Sequence, residues 1–146
     1  MANPLCPTIR RAKALNMASP KILLAEDSPT DALYVRTIFE MAGLAITCVA
    51  NGEQAVGAAA KEAFDLILMN VQMPVMDGHA AIRQIRSAEA QAGKRASRIY
   101  AVTSDSAPDD IRASLAAGAD RHLAKPLHPG ALLAALASVE GGQSST

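Results

Sequence analysis

Asp65-Leu66-Ile67-Leu68-Met69-Asn70-Val71-Gln72-Met73-Pro74-Val75-Met76-Asp77-Gly78 is the stretch on which the fold turns. Its first half is a continuous apolar run, without the alternation of a strand that has one wet face, so it reads as a strand covered on both sides. The run ends on a polar residue, Asn70, and passes into a loop, Val71 to Gly78, before a helix expected from about His79 to Ala90. A buried strand that feeds a helix is the repeating unit of a parallel α/β sheet.

The same unit recurs on both sides. Towards the N-terminus, Ile22-Leu23-Leu24-Ala25 is again continuous and stops abruptly in acid, at Glu26-Asp27. Ser28 then suits an N-cap, Pro29 the first helical position and Asp31 the first turn. Ala32, Val35, Phe39 and Ala42 form the helix's apolar stripe, and Gly43 its stop. A second strand, Ile46 to Val49, closes at Asn51-Gly52, and an alanine-rich helix from about Glu53 to Ala63 is expected to bury Ala55, Val56 and Ala59. Beyond the central stretch, Gly93 to Ser97 is a polar connection to a fourth strand, Ile99 to Thr103. A helix starts near Pro108, with Asp109 and Asp110 favourable to its dipole, and stops at Gly118. His122-Leu123-Ala124 is a short fifth strand before Lys125-Pro126, and a last helix from about Pro129 to Val139 turns Leu132, Leu133 and Leu136 inward.

Five such units predict an open, doubly wound five-stranded parallel sheet with five helices, spanning residues 21–139. Residues 1–20 carry Pro4, Pro7, Arg10, Arg11 and Lys13 but no apolar stretch of the kind a secretory signal needs, and they read as an N-terminal arm or linker. Residues 140–146, Glu-Gly-Gly-Gln-Ser-Ser-Thr, read as a flexible tail. The 14 basic side chains equal the 14 acidic ones and aromatics are 3% of the chain, which argues against a nucleic-acid binder. No apolar run reaches membrane-spanning length, so no membrane insertion is expected. The two cysteines, Cys6 and Cys48, lack metal-ligand spacing and suit a reducing cytoplasm, with Cys48 a small core residue.

In doubly wound sheets, ligands bind outside the carboxyl ends of the strands, near the point where strand order reverses. Those ends carry Glu26 and Asp27, Asn70, Thr103 with Ser104, and Lys125. Each alone has an ordinary explanation as a cap, a strand end or a solvated lysine. Their convergence on one edge is harder to explain that way.

From Lys21 to about Val139 the chain resembles the receiver domains of two-component signalling. The resemblance is carried by LLAEDS, DLILMNVQMPVMDG, the AVTS that ends the fourth strand and GADRHLAKP, in matching order and spacing, while MDGHAAIRQIR is most similar to receivers of hybrid sensor kinases. It implies the flavodoxin-like strand order 2-1-3-4-5. It also implies that Glu26 and Asp27 hold Mg²⁺ with the backbone carbonyl of Gln72 and the side chain of residue 70. Residue 70 would be the phosphoacceptor, the Thr103 hydroxyl and Lys125 would hold the phosphoryl oxygens with Ser104 nearby, and Lys125-Pro126 would be cis. The partners implied are a histidine kinase or a histidine phosphotransfer protein, and a downstream protein on the face of helix four, strand five and helix five, where Arg112, Leu115 and His122 lie.

Asn70 departs from that pattern. A carboxamide is neutral, a very poor nucleophile and unable to form a stable acyl phosphate, so acceptance of a phosphoryl group is expected to fail. The lost charge predicts weaker Mg²⁺ binding, with the amide oxygen left as a ligand, and turns any ion pair with Lys125 into a weaker hydrogen bond. The untouched remainder favours an engineered Asp-to-Asn variant over a natural pseudo-receiver that serves as a docking module. A second departure is His122, where many receivers carry Tyr or Phe as a rotating switch; an imidazole at a strand edge reads equally as a plain half-exposed residue. His79 and His128 show no metal spacing with it and receive no chemical role. Met69, Met73 and Met76 are read as packing. A doubly wound phosphatase is the rival class, but it would need a nucleophilic aspartate with a second acid two residues on after its first strand, and the chain has Glu26-Asp27-Ser28-Pro29 there.

Overall fold

The computed structural model describes residues 19–140. The arm and tail proposed for 1–20 and 140–146 therefore lie almost entirely outside the described residues, as does Cys6. The elements run β1 (Ile22–Ala25), α1 (Pro29–Met41), β2 (Ile46–Val49), α2 (Gly52–Lys61), β3 (Leu66–Asn70), α3 (Gly78–Ala92), β4 (Arg98–Thr103), α4 (Pro108–Ala117), β5 (Arg121–Ala124) and α5 (Pro129–Glu140). All strand pairs are parallel, in the order β2-β1-β3-β4-β5.

The continuous apolar strands are explained by two cores, one on each face of the sheet. Ile22 and Leu24 of β1 with Leu66 and Leu68 of β3 pack on one side against Val35 and Phe39 of α1 and Leu132 and Leu136 of α5. The alternate residues, Leu23, Ala25, Ile67 and Met69, pack on the other against Ala55 of α2 and Ala81, Ile82 and Ile85 of α3. Fully burying each large aliphatic side chain contributes about 1.5–3 kcal/mol, so a slip of one residue in β3 would exchange the two cores and is strongly excluded. Three details differ from expectation. Leu133 is only half-buried and Ala135 takes the inward place, while Val56 and Ala59 are half-buried beside a fully buried Ala55, because short helices on an open sheet present only a narrow stripe to it. Cys48 lies half-buried on the edge strand β2 and packs against the first core.

Strand order reverses between β2 and β3 on either side of β1, so the carboxyl ends of β1 and β3 open a crevice. The register sets Ala25 beside Met69, which leaves Glu26 and Asp27 level with Asn70.

Candidate functional site

Local chemistry builds each wall of the crevice. Ser28 caps α1 by accepting from the Asp31 N–H at 3.2 Å, and its own N–H donates to Glu26 Oε2 at 3.1 Å, so the turn after β1 is tied to one of its acids. Across the crevice, the loop after β3 folds back tightly, with the Gly78 N–H donating to the Val71 carbonyl at 2.7 Å. A Cβ on Gly78 would lie 2.3 Å from the Asn70 carbonyl oxygen, so only glycine permits this approach of α3 to the end of β3. Val75 in the same loop has a φ of 70°, unusual for a β-branched residue, and is exposed.

Asn70 is buried at the centre. Its Nδ2 donates to the Gln72 carbonyl at 2.8 Å and to Asp27 Oδ1 at 3.0 Å, and lies 3.4 Å from Glu26 Oε2. The nitrogen of the amide, rather than its oxygen, thus faces the acidic pair. Two carboxylates and a backbone carbonyl converging on one point make a hard-oxygen set that suits Mg²⁺, so the residues fit the ion although an amide stands at their focus.

Lys125 is held by acids rather than by Asn70. Its Nζ donates to Glu26 Oε1 at 3.0 Å and to Asp31 Oδ2 at 3.2 Å. The amide oxygen is only a neutral acceptor, whereas the carboxylates offer charge-assisted hydrogen bonds, so they hold the ammonium. Burial pushes the Glu26 carboxyl above its ordinary value, with Lys125 and the Ser28 N–H pulling it back only in part. Burial alone would lower the Lys125 ammonium, but its contacts with Glu26 and Asp31 outweigh that and raise it. The Lys125-Pro126 bond is cis.

Thr103 is buried at the end of β4, and its Oγ1 accepts from the Asp105 N–H at 3.1 Å, while Ser104 is exposed beside it. Ser104 and Lys125 share a groove with Thr30, Asp31, Tyr34 and Leu127, in which the Tyr34 hydroxyl donates to the Leu127 carbonyl at 2.8 Å. His122 is half-buried, with Nδ1 3.3 Å and Nε2 3.4 Å from the Ser114 and Ser106 hydroxyls. Sequence reasoning missed its neighbour: His79 Nε2 lies 2.9 Å from the same Ser114 hydroxyl, so the two imidazoles share one buried serine. No local signal joins residues 79, 114 and 122. His128 sits at the start of α5, where its carbonyl accepts from the Ala131 and Leu132 N–H groups. Leu115 on α4 is exposed, and Arg112 pairs with Asp109.

A family model described as the response regulator receiver domain matches residues 22–137. The chain is a response-regulator receiver domain. It is 39% identical over 113 residues to the sensor protein GacS of Pseudomonas syringae pv. syringae, a match covering 77% of this chain and 12% of GacS. The receiver domain thus spans about an eighth of the length of that relative. Among solved structures it is similar to the receiver domain of the sensor histidine kinase PA1611 of Pseudomonas aeruginosa PAO1, described with a magnesium ion in its active-site cleft. There the identity is 35% and the TM-score 0.76, over 86% of this chain and all of that one. It also resembles the receiver domain of Saccharomyces cerevisiae Ssk1, solved in complex with the histidine phosphotransfer protein Ypd1, with 28% identity, a TM-score of 0.75, and 80% and 86% of the two chains covered. As a receiver it belongs to two-component phosphorelay signalling and is a signalling module rather than an enzyme of turnover. Among the described residues, no helix is long and apolar enough to cross a membrane.

Proposed function

We propose that this receiver docks a histidine kinase or a histidine phosphotransfer protein in the cytoplasm but is chemically silent at its acceptor position. In an aspartate-bearing form, a carboxylate oxygen at position 70 would attack the phosphorus of a phosphohistidine, with the imidazole as leaving group. Glu26, Asp27, the Gln72 carbonyl and the side chain of residue 70 would hold Mg²⁺, which when bound neutralises charge on the phosphoryl oxygens. Thr103, with Ser104 beside it, and Lys125 would hold those oxygens. For Lys125 that requires release from Glu26 and Asp31. The acquired charge would bias the α4-β5-α5 face, where His122 hangs between the Ser114 and Ser106 hydroxyls, towards a downstream protein.

The observation that carries this reading is the carboxamide of Asn70 at the focus of an otherwise complete site. An amide there supplies no nucleophile, and Mg²⁺ binds more weakly than to an aspartate. Retention of every surrounding group supports a single engineered Asp-to-Asn change in a domain of residues 21–139, with residues 1–20 an arm or linker and 140–146 a tail. The complete hydrogen bonding of the Asn70 amino group favours a second reading, a natural pseudo-receiver that docks without phosphorylation. The codon at position 70 of the parent gene separates the two.

The test is intact-mass spectrometry after incubation with Mg²⁺ and acetyl phosphate. The chain gains no hydroxylamine-sensitive phosphate, and Asn70→Asp gains one. A phosphate adduct on the asparagine form, or none on a folded Asn70→Asp protein, refutes the assignment of position 70.

A further inference from the structure

The crevice poses an electrostatic problem in its own right, because two carboxylates and a carbonyl point at one another from the turns after β1 and β3. In this chain those oxygens meet at one atom. Gln72 O, Asp27 Oδ1 and Glu26 Oε2 lie 2.8, 3.0 and 3.4 Å from Asn70 Nδ2. An amide nitrogen carries two protons, and the two shorter contacts use both. The surroundings also decide which way the amide faces: a half-turn would set its oxygen against three other acceptors with no proton among them. Asn70 is 5% and Glu26 7% exposed, whereas Asp27 and Gln72 are exposed, so water reaches the outer side of the cluster and the amide holds it from the buried side.

We propose that the Asn70 carboxamide is the cleft's own substitute for a divalent cation. It links the acidic pair to the loop after β3, so the cleft assembles without metal, and it occupies the place between the oxygens that Mg²⁺ would take. The proposal rests on the reading of position 70 as the acceptor site, and it goes beyond loss of charge. If Asn70 merely lacked a charge, its oxygen would still assist a weakly held ion, and removing the side chain would cost affinity. If the amide competes with the ion, removing the side chain admits it.

The experiment measures Mg²⁺ affinity, by titration calorimetry or perturbed amide resonances, for the chain, Asn70→Ala and Asn70→Ser, with melting of the unaltered chain in EDTA and in millimolar Mg²⁺. Although neither variant gains a charge, both bind Mg²⁺ roughly tenfold more tightly than the chain itself, because the ion no longer has to break charge-assisted hydrogen bonds. The unaltered chain melts at the same temperature with and without the ion. Equal or weaker binding by the variants overturns the proposal. So does a chain whose melting temperature rises in Mg²⁺ as much as that of Asn70→Asp, and this comparison decides the matter even if the Ala and Ser variants fail to fold. The acceptor reading fails separately, when folded Asn70→Asp takes no phosphate while Asn70→Ala still binds Mg²⁺ more tightly.

Discussion

Replacing Asn70 by aspartate in the absence of metal should destabilise the domain by an amount that the contacts of Nδ2 set. The contact to Glu26 at 3.4 Å is too long to count fully, which leaves those to Gln72 and Asp27 at 2.8 and 3.0 Å. A neutral hydrogen bond contributes about 1 kcal/mol and one to a charged group about 1.5 kcal/mol at the exposed end of its range, which suits Asp27. Repulsion between the new carboxylate and the acidic pair adds to this, limited by proton uptake, for a total of about 2–4 kcal/mol. At about 4 °C per kcal/mol for a domain of this size, Asn70→Asp melts about 8–16 °C below the parent in EDTA. Most of that gap closes on adding Mg²⁺. Circular dichroism melts of the two proteins, in EDTA and then with Mg²⁺, measure it. An Asn70→Asp protein that melts at or above the parent in EDTA would refute the reasoning, since the amide protons would then be doing nothing for the fold.

Arg86→Ala should be strongly destabilising in urea titrations, by about 3 kcal/mol, because it strips the cationic partner from a buried carboxylate that keeps the Ser97 N–H at 2.9 Å. Arg86 donates to Glu89 Oε1 and to the Ser97 and Gly118 carbonyls at 2.9, 2.8 and 2.9 Å, with Glu89 only 6% exposed; a loss under about 1 kcal/mol would show the clamp to be dispensable. Gly78→Ala forces a Cβ to within 2.3 Å of the Asn70 carbonyl oxygen, so α3 must shift and backbone resonances of residues 70–78 should move in NMR spectra; spectra that superimpose on the parent's would contradict that close packing. Burial holds the His79 imidazole below its ordinary 6.5, with Arg83 and His122 acting in the same direction and Asp77 and Asp110 opposing. Its stabilising contribution is therefore present above 6.5 and is lost as pH falls through the lowered native value, so denaturant midpoints should drop more on acidification for the parent than for His79→Gln. The opposite ordering would reverse the sign assigned to His79.

The sequence alone was sufficient for the order of the elements and for which polar residues stand at the carboxyl ends of the strands, because those signals are local. A continuous apolar run announces a strand covered on both faces, Ser28-Pro29 announces a helix start, and Gly118 a helix stop, all within a few residues of where they act. The residue types at the strand ends, and the presence of an amide rather than a carboxylate at position 70, are likewise matters of composition and order. What only the tertiary structure decided is which atom faces which. Lys125 turns to Glu26 and Asp31 across 99 and 94 residues of chain, the Asn70 amide presents its nitrogen rather than its oxygen, and Ser114 sits between His79 and His122. Such contacts depend on strand register and on rotamers chosen by competition among partners. No periodicity or spacing along the chain encodes them, because the competing groups meet only after the sheet has brought its carboxyl ends together.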